Sequence, residues 1–106
     1  MAARIIILYP TPTDTERFEN DYRAHVDIYR QNLPDAPYLD ATWIKSHPSN
    51  PSPYRLLVVI TFNTMEDLKG TMKSDGMKIV GAHATEISTG GAPVIMIGEE
   101  GERTVE

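Results

Sequence analysis

LYPTPTDTERFENDYRAH, the stretch from Leu8 to His25, decides the fold because it leads from a strand through a turn into an amphipathic helix. The aliphatic run before it has no helical period, and Pro10 cannot donate a hydrogen bond to a neighbouring strand. We therefore predict a first strand from Arg4 to Tyr9.

A helix is predicted from about Thr15 to Asn32. Either Thr13 or Asp14 can cap its first turn, and Pro34 and Pro37 follow it, which is typical of a helix end. The apolar face repeats at intervals of three or four residues. It contains Phe18, Tyr22, Val26, Tyr29 and Leu33, and the titratable imidazole of His25 falls on the same side.

Three further strands are indicated by runs of β-branched and aromatic residues. We predict them at Tyr38–Ser46, Tyr54–Phe62 and Pro93–Gly98. In the third strand, Leu57 and Val59 lie on the face where an exposed antiparallel strand would carry polar residues. This pattern indicates that both faces of the sheet are covered.

The second helical region lies between the third and fourth strands. Thr64 and Ser74 can each cap a short helical segment, and Gly90-Gly91 ends the region. His47–Pro53 carries three prolines and predicts an exposed loop, whereas Glu99–Glu106 is an acidic tail.

The predicted element order is β-α-β-β-α-β, which indicates a single α+β domain over residues 1–106. Such an order is typical of the ferredoxin-like fold, with a four-stranded antiparallel sheet backed by helices. One helical layer covers only one face of the sheet. We therefore predict a homodimer in which a second copy covers the other face.

Composition limits the function. The chain has no cysteine. Its formal charge is -5 and its basic residues are dispersed, and both properties oppose binding to nucleic acid or an anionic membrane. The apolar run Ile5–Leu8 is far shorter than the roughly 20 residues of a membrane-spanning helix. We expect a soluble, cytoplasmic protein whose partner is a small molecule or a protein.

Several motifs together resemble one known family. Tyr9–Asp14, followed by Phe18-Glu19, Tyr22 and His25-Val26, resembles the N-terminal motif of the EthD family. The C-terminal half is similar to one EthD-like group, in the stretches Pro53–Arg55, Ala82–Ala84 and Ile87–Val94. One difference concerns the histidine: the family usually has it four residues after this tyrosine and followed by Val-Pro, whereas here His25 comes three residues after Tyr22.

The resemblance implies a dimeric α/β barrel, in which the sheets of two ferredoxin-like chains pack face to face and a cavity lies between each sheet and its own helices. The family takes its name from ethyl tert-butyl ether degradation, in which its biochemical role is undefined. Relatives in the superfamily include cofactor-independent monooxygenases, lactone isomerases and polyketide cyclases.

His25 is the main candidate for chemistry, since an imidazole titrates near neutral pH and can act as a general acid or base with Tyr22. The alternative is a packed imidazole bonded to a backbone carbonyl. His83, between two alanines, and the aromatic rings of Tyr9, Trp43 and Tyr54 are candidates for contacting a ligand, although core packing also explains most of the rings.

The histidine spacings fit no metal-binding motif, and Gly90-Gly91 lacks the spacing of a phosphate loop, so we predict neither a metal nor a cofactor. Two functions remain open at this point. One is a cofactor-independent enzyme, such as an isomerase, cyclase or monooxygenase, acting on a small hydrophobic oxygenated compound. The other is a non-catalytic dimeric module that binds a ligand or a partner enzyme.

Overall fold

A computed structural model of the chain describes residues 2–34 and 39–101. It contains four strands and three helices: β1 (Ala3–Pro10), α1 (Thr15–Asn32), β2 (Leu39–Trp43), β3 (Tyr54–Phe62), α2 (Met65–Met72), α3 (Asp75–Ile87) and β4 (Val94–Glu99). The strands form one antiparallel sheet in the order β2-β3-β1-β4. The predicted ferredoxin-like α+β fold is confirmed.

Each helix begins at the kind of residue that the sequence indicates. The side chains of Asp14, Thr64 and Ser74 accept hydrogen bonds from backbone N–H groups in the first turns of α1, α2 and α3. These bonds satisfy donors that have no partner within the helix.

The predicted second strand is longer than the observed one. β2 ends at Trp43, although the N–H of Ile44 still donates to the carbonyl of Arg55 over 2.8 Å. Of the other predicted positions, Pro37, Tyr38 and residues 102–106 of the acidic tail lie outside the described residues.

The helices cover one face of the sheet, which we call the inner face. Alternate residues of the two central strands point toward it and form the core with side chains from the helices. The strand residues buried there are Ala3, Ile5 and Tyr9 in β1 and Leu56, Val58, Ile60 and Phe62 in β3.

The opposite, outer face carries a set of apolar side chains: Ile6, Leu8, Leu57, Val59, Val94 and Met96. Ile6 is central because it pairs with Val59 on one side and with Met96 on the other. Within the described part of the chain no element packs over this face, and Met96 is 42% exposed.

The edge strand β4 is also exposed on its inner face. Ile95 pairs with Ile7 and Ile97 pairs with Ile5, yet their exposed fractions are 53% and 52%. The helical layer therefore stops short of this edge.

Two glycines permit the turn after α3. A Cβ on Gly90 would collide with the backbone carbonyl of Thr11, and Gly91 has φ of 138°, a conformation that side chains disfavour. These glycines bring the end of α3 against the turn that precedes α1. None of the helices in the described ranges is long and apolar enough to span a bilayer.

Candidate functional site

A cavity of about 160 Å³ lies between the helices and the inner face of the sheet. Its wall is almost entirely apolar and is drawn from all four strands and all three helices. The lining comprises Ile5, Ile7, Tyr9, Tyr22, His25, Tyr29, Leu39, Val58, Ile60, Met72, Met77, Val80, Gly81, Ala84 and Ile95. Met72 and Ile95 are also exposed to solvent, so they mark where the cavity opens.

Helix α1 supplies most of the polar groups of this wall, and the phenol of Tyr9 in β1 is the other one. Tyr22, His25 and Tyr29 follow one another at intervals of three and four residues, so they share one face of the helix and are all buried. The helical period that builds the core therefore also brings an imidazole and two phenols to the cavity.

His25 makes its closest polar contact with His83 of α3. The two Nδ1 atoms are 2.8 Å apart, and the rings lie nearly parallel, with 9° between their planes and 5.1 Å between their centroids. His25 is 3% exposed and lines the cavity, whereas His83 is half-buried and is outside the cavity lining. His83 therefore meets the site through His25.

The environment keeps His25 uncharged. Burial, together with the nearby His83, lowers the pKa of His25 from 6.5 to about 4. A charged imidazole would lose its hydration in this apolar wall, which is why burial has the larger effect. At neutral pH the ring therefore has one nitrogen with a free lone pair and one that carries a proton.

This shift in pKa predicts a loss of stability in acid. Between pH 6.5 and 4 the unfolded chain binds a proton at His25 that the folded chain does not, so the stabilising contribution is full above pH 6.5 and falls as the pH drops. We expect the free energy of unfolding, relative to that of His25→Asn, to fall by about 2 kcal/mol between pH 7 and pH 5.

Urea titrations of both proteins at one protomer concentration measure this difference, because contributions from groups that do not contact His25 cancel between the two proteins. A constant difference across that range would contradict a buried, neutral His25.

The three tyrosines in the lining remain protonated at neutral pH. Burial raises the pKa of Tyr22 to about 12, with a smaller effect of Tyr29, and it also raises the pKa of Tyr9 and of Tyr29. Among the described residues no group bonds to the buried hydroxyl of Tyr22. An unpartnered hydroxyl in such a place is a donor available to a ligand.

Two of the aromatic candidates lie away from the cavity lining. Trp43 packs edge-on against Phe18 and Tyr22, with centroids 6.2 Å and 5.7 Å away, and so supports Tyr22 from behind. Tyr54 is half-buried at the start of β3, where it pairs with Pro10. By contrast, Tyr9, Tyr22 and His25 come together in the lining.

In a regular strand Arg55 would lie on the outer face, with Leu57 and Val59, but it does not. The register with β1 shifts between Tyr9 and Pro10, which leaves Arg55 as an extra residue. Its side chain turns to the helical side, where it forms a 2.6 Å ion pair with Glu19 and lies over the ring of Trp43. This pair holds α1 to the end of the sheet.

Within residues 2–34 and 39–101, no three histidine, aspartate or glutamate side chains are grouped in a way that could hold a metal ion. The titratable groups of the cavity lining are instead one imidazole and three phenols, and a second imidazole, that of His83, contacts the first from outside the lining. Such groups can donate hydrogen bonds and can move protons.

The contact between the two histidines was not predicted from the sequence. His25 and His83 are far apart in sequence, and no local motif joins them. The signal was available in the element order, because the two helices of a split β-α-β fold lie side by side on one face of the sheet.

Comparison with known proteins gives structural matches alone, since no protein-family model and no curated protein matches the chain. An ethyl tert-butyl ether degradation (EthD) family protein from Bacillus halodurans is similar, with 29% identity, a TM-score of 0.83, and coverage of 94% of this chain and 99% of that chain. An EthD-like protein from Ralstonia eutropha has 23% identity, a TM-score of 0.65, and coverage of 97% and 96%.

A third match is a dimeric ferredoxin-like protein of unknown function from Jannaschia sp. It has 12% identity and a TM-score of 0.67, and the match covers 94% of this chain and all of that one. At this identity the likeness concerns the fold alone.

Proposed function

We propose that this EthD family chain binds, in its cavity, a small, uncharged, largely apolar compound that carries an oxygen atom, with His25 moving a proton. One observation carries the proposal. The hydroxyl of Tyr22 is buried without a partner in an apolar wall that also holds the neutral imidazole of His25.

The size and polarity of the cavity support this class of ligand. A dry cavity of about 150 Å³ accommodates benzene, so about 160 Å³ suits a single six-membered ring. No lysine, arginine, aspartate or glutamate is among the described lining residues. An ionised ligand would therefore lose its hydration without gaining a charged partner.

The proposed chemistry follows from the hydroxyl of Tyr22 and the imidazole of His25. The Tyr22 hydroxyl donates to a carbonyl oxygen of the ligand and so stabilises the negative charge that forms there when a neighbouring C–H bond breaks. The free lone pair of His25 accepts the proton. Return of that proton to a different atom is an isomerisation, and attack of the enolate on a second carbonyl is a cyclisation.

We propose that the working unit is a homodimer. The outer face presents a continuous apolar surface that six side chains form across three strands. A face-to-face contact with a second copy covers it on both chains at once. The dimeric state of the ferredoxin-like protein from Jannaschia sp. supports this arrangement.

Replacing Tyr22 with phenylalanine tests the ligand-binding proposal. Cyclohexanone is a suitable probe because it is a neutral six-membered ring with one carbonyl oxygen. We expect Tyr22→Phe to weaken cyclohexanone binding about tenfold, which corresponds to one lost hydrogen bond. The same change should raise the free energy of unfolding by about 1 kcal/mol, since a buried hydroxyl without a partner is removed.

Isothermal titration and urea unfolding measure these two effects, and Tyr54→Phe is the matched control outside the lining. Equal affinity for cyclohexanone in wild type and Tyr22→Phe would contradict the assignment of Tyr22 as the donor. To test the proton transfer, exchange of the ring's α-hydrogens with D2O is followed by NMR. His25→Asn should abolish any acceleration of this exchange.

A further inference from the structure

His83 does not line the cavity, but it is hydrogen-bonded to His25, which does. The Nδ1 atoms of His25 and His83 are 2.8 Å apart, a distance at which one nitrogen must carry a proton and the other must accept it. Because Nδ1 of His25 is engaged in this way, Nε2 is the atom through which His25 reaches a ligand.

Two arrangements of protons satisfy this contact when both rings are neutral. In the first, His25 donates from Nδ1 and has a free lone pair at Nε2, so it is a base toward the cavity. In the second, His83 donates from its Nδ1, and His25 then carries its proton at Nε2 as an acid. The two arrangements differ only in which nitrogen of each ring carries the proton.

We propose that His83 is a positioning residue that relays protons between His25 and solvent, so that the two histidines alternate between these arrangements during each proton transfer. This inference rests on the proposed function, because it assigns a route to the proton that His25 takes from the ligand. The nearly coplanar, edge-to-edge arrangement of the two rings and the short contact between their nitrogens support it.

The step begins in the first arrangement. The C–H bond next to the ligand carbonyl breaks, and its proton adds to Nε2 of His25. The electron pair of that bond moves toward the carbonyl oxygen, which accepts a hydrogen bond from the Tyr22 hydroxyl. The Nδ1 proton of His25 passes to Nδ1 of His83, and the Nε2 proton of His83 leaves to water. Both rings are then neutral again, in the second arrangement, and His25 can protonate the ligand.

Burial explains why a relay is needed. The burial that lowers the pKa of His25 to about 4 makes a positive charge on that ring costly. His83 is half-buried and outside the apolar lining, so water reaches it more readily than it reaches His25. Passing the proton outward shortens the time for which the cavity wall holds a charge.

The test uses cyclohexanone as the probe and follows the exchange of its α-hydrogens in D2O. His83→Asn keeps a hydrogen-bonding group near the position of Nδ1 but cannot pass a proton on. We expect the exchange rate at saturating cyclohexanone to fall at least tenfold in this variant, while the half-saturating concentration stays within twofold of wild type. His47→Asn, in the exposed loop, is the matched control and should exchange at the wild-type rate.

His83→Ala distinguishes a relay from a purely structural support. It leaves space beside His25, and added imidazole should restore the exchange if the lost function is proton transfer. Failure of imidazole to restore it, or a wild-type rate in His83→Asn, would overturn the relay while leaving the ligand site intact. A wild-type protein that binds no cyclohexanone, or binds it without faster exchange, would overturn the proposed function and the relay with it.

Discussion

Gly81→Leu is expected to weaken cyclohexanone binding at least 100-fold while making the protein more stable. Gly81 lies in the interior of α3 and lines the cavity, and a Cβ at this position would meet no atom within 4 Å. A leucine side chain here occupies the space that the ligand needs. The gain in stability comes from the better helix propensity of leucine and from the filled cavity, together about 1–2 kcal/mol.

Gly70→Leu provides the matched control for this experiment. Gly70 is also a helical glycine where a Cβ would meet no atom within 4 Å, but it is exposed on α2 and absent from the cavity lining. Its replacement should leave the affinity for cyclohexanone unchanged. Wild-type affinity in Gly81→Leu would place the ligand outside this cavity.

Ile6→Asp is expected to dissociate the proposed homodimer, raising its Kd at least 1,000-fold. Ile6 is the centre of the outer face, between Val59 and Met96. A symmetric contact would bury two new carboxylates without partners, and each costs several kcal/mol. A 1,000-fold change corresponds to about 4 kcal/mol, well within that penalty.

Sedimentation velocity at micromolar protomer concentration measures this effect, with circular dichroism to verify that the variant is folded. Ile79→Asp is the matched control, because Ile79 is a 52% exposed isoleucine on α3 rather than on the outer face. This control should sediment as wild type does. A wild-type protein that sediments as a monomer would contradict the dimer.

The sequence predicted those features of the fold that depend on local chemistry. α1 begins and ends where the capping residue and the apolar repeat indicated, and β3 has the predicted bounds of Tyr54–Phe62. The caps at Thr64 and Ser74 are likewise as predicted. In each case the signal comes from residues within about one turn or one strand of the feature.

Features that depend on contacts distant in sequence were not predictable in the same way. Arg55 faces the helical side because of a shift in register against β1, and nothing within β3 itself indicates that shift. Trp43 and Tyr9 are both aromatic, but Trp43 lies on an edge strand, behind Tyr22 and outside the cavity lining. The approach of His83 to His25 depends on how α1 and α3 pack.

Whether the cavity between the helices and the sheet is a ligand site can be tested by an NMR titration. Cyclohexanone is added to protein labelled with ¹³C in its methyl groups. If the cavity binds the ligand, we expect saturable shifts at methyls of the lining, such as those of Ile60, Val80 and Ala84, while Ile6 and Leu8 of the outer face are unaffected. Shifts confined to the outer face, or none at any concentration that stays in solution, would contradict a ligand site in this cavity.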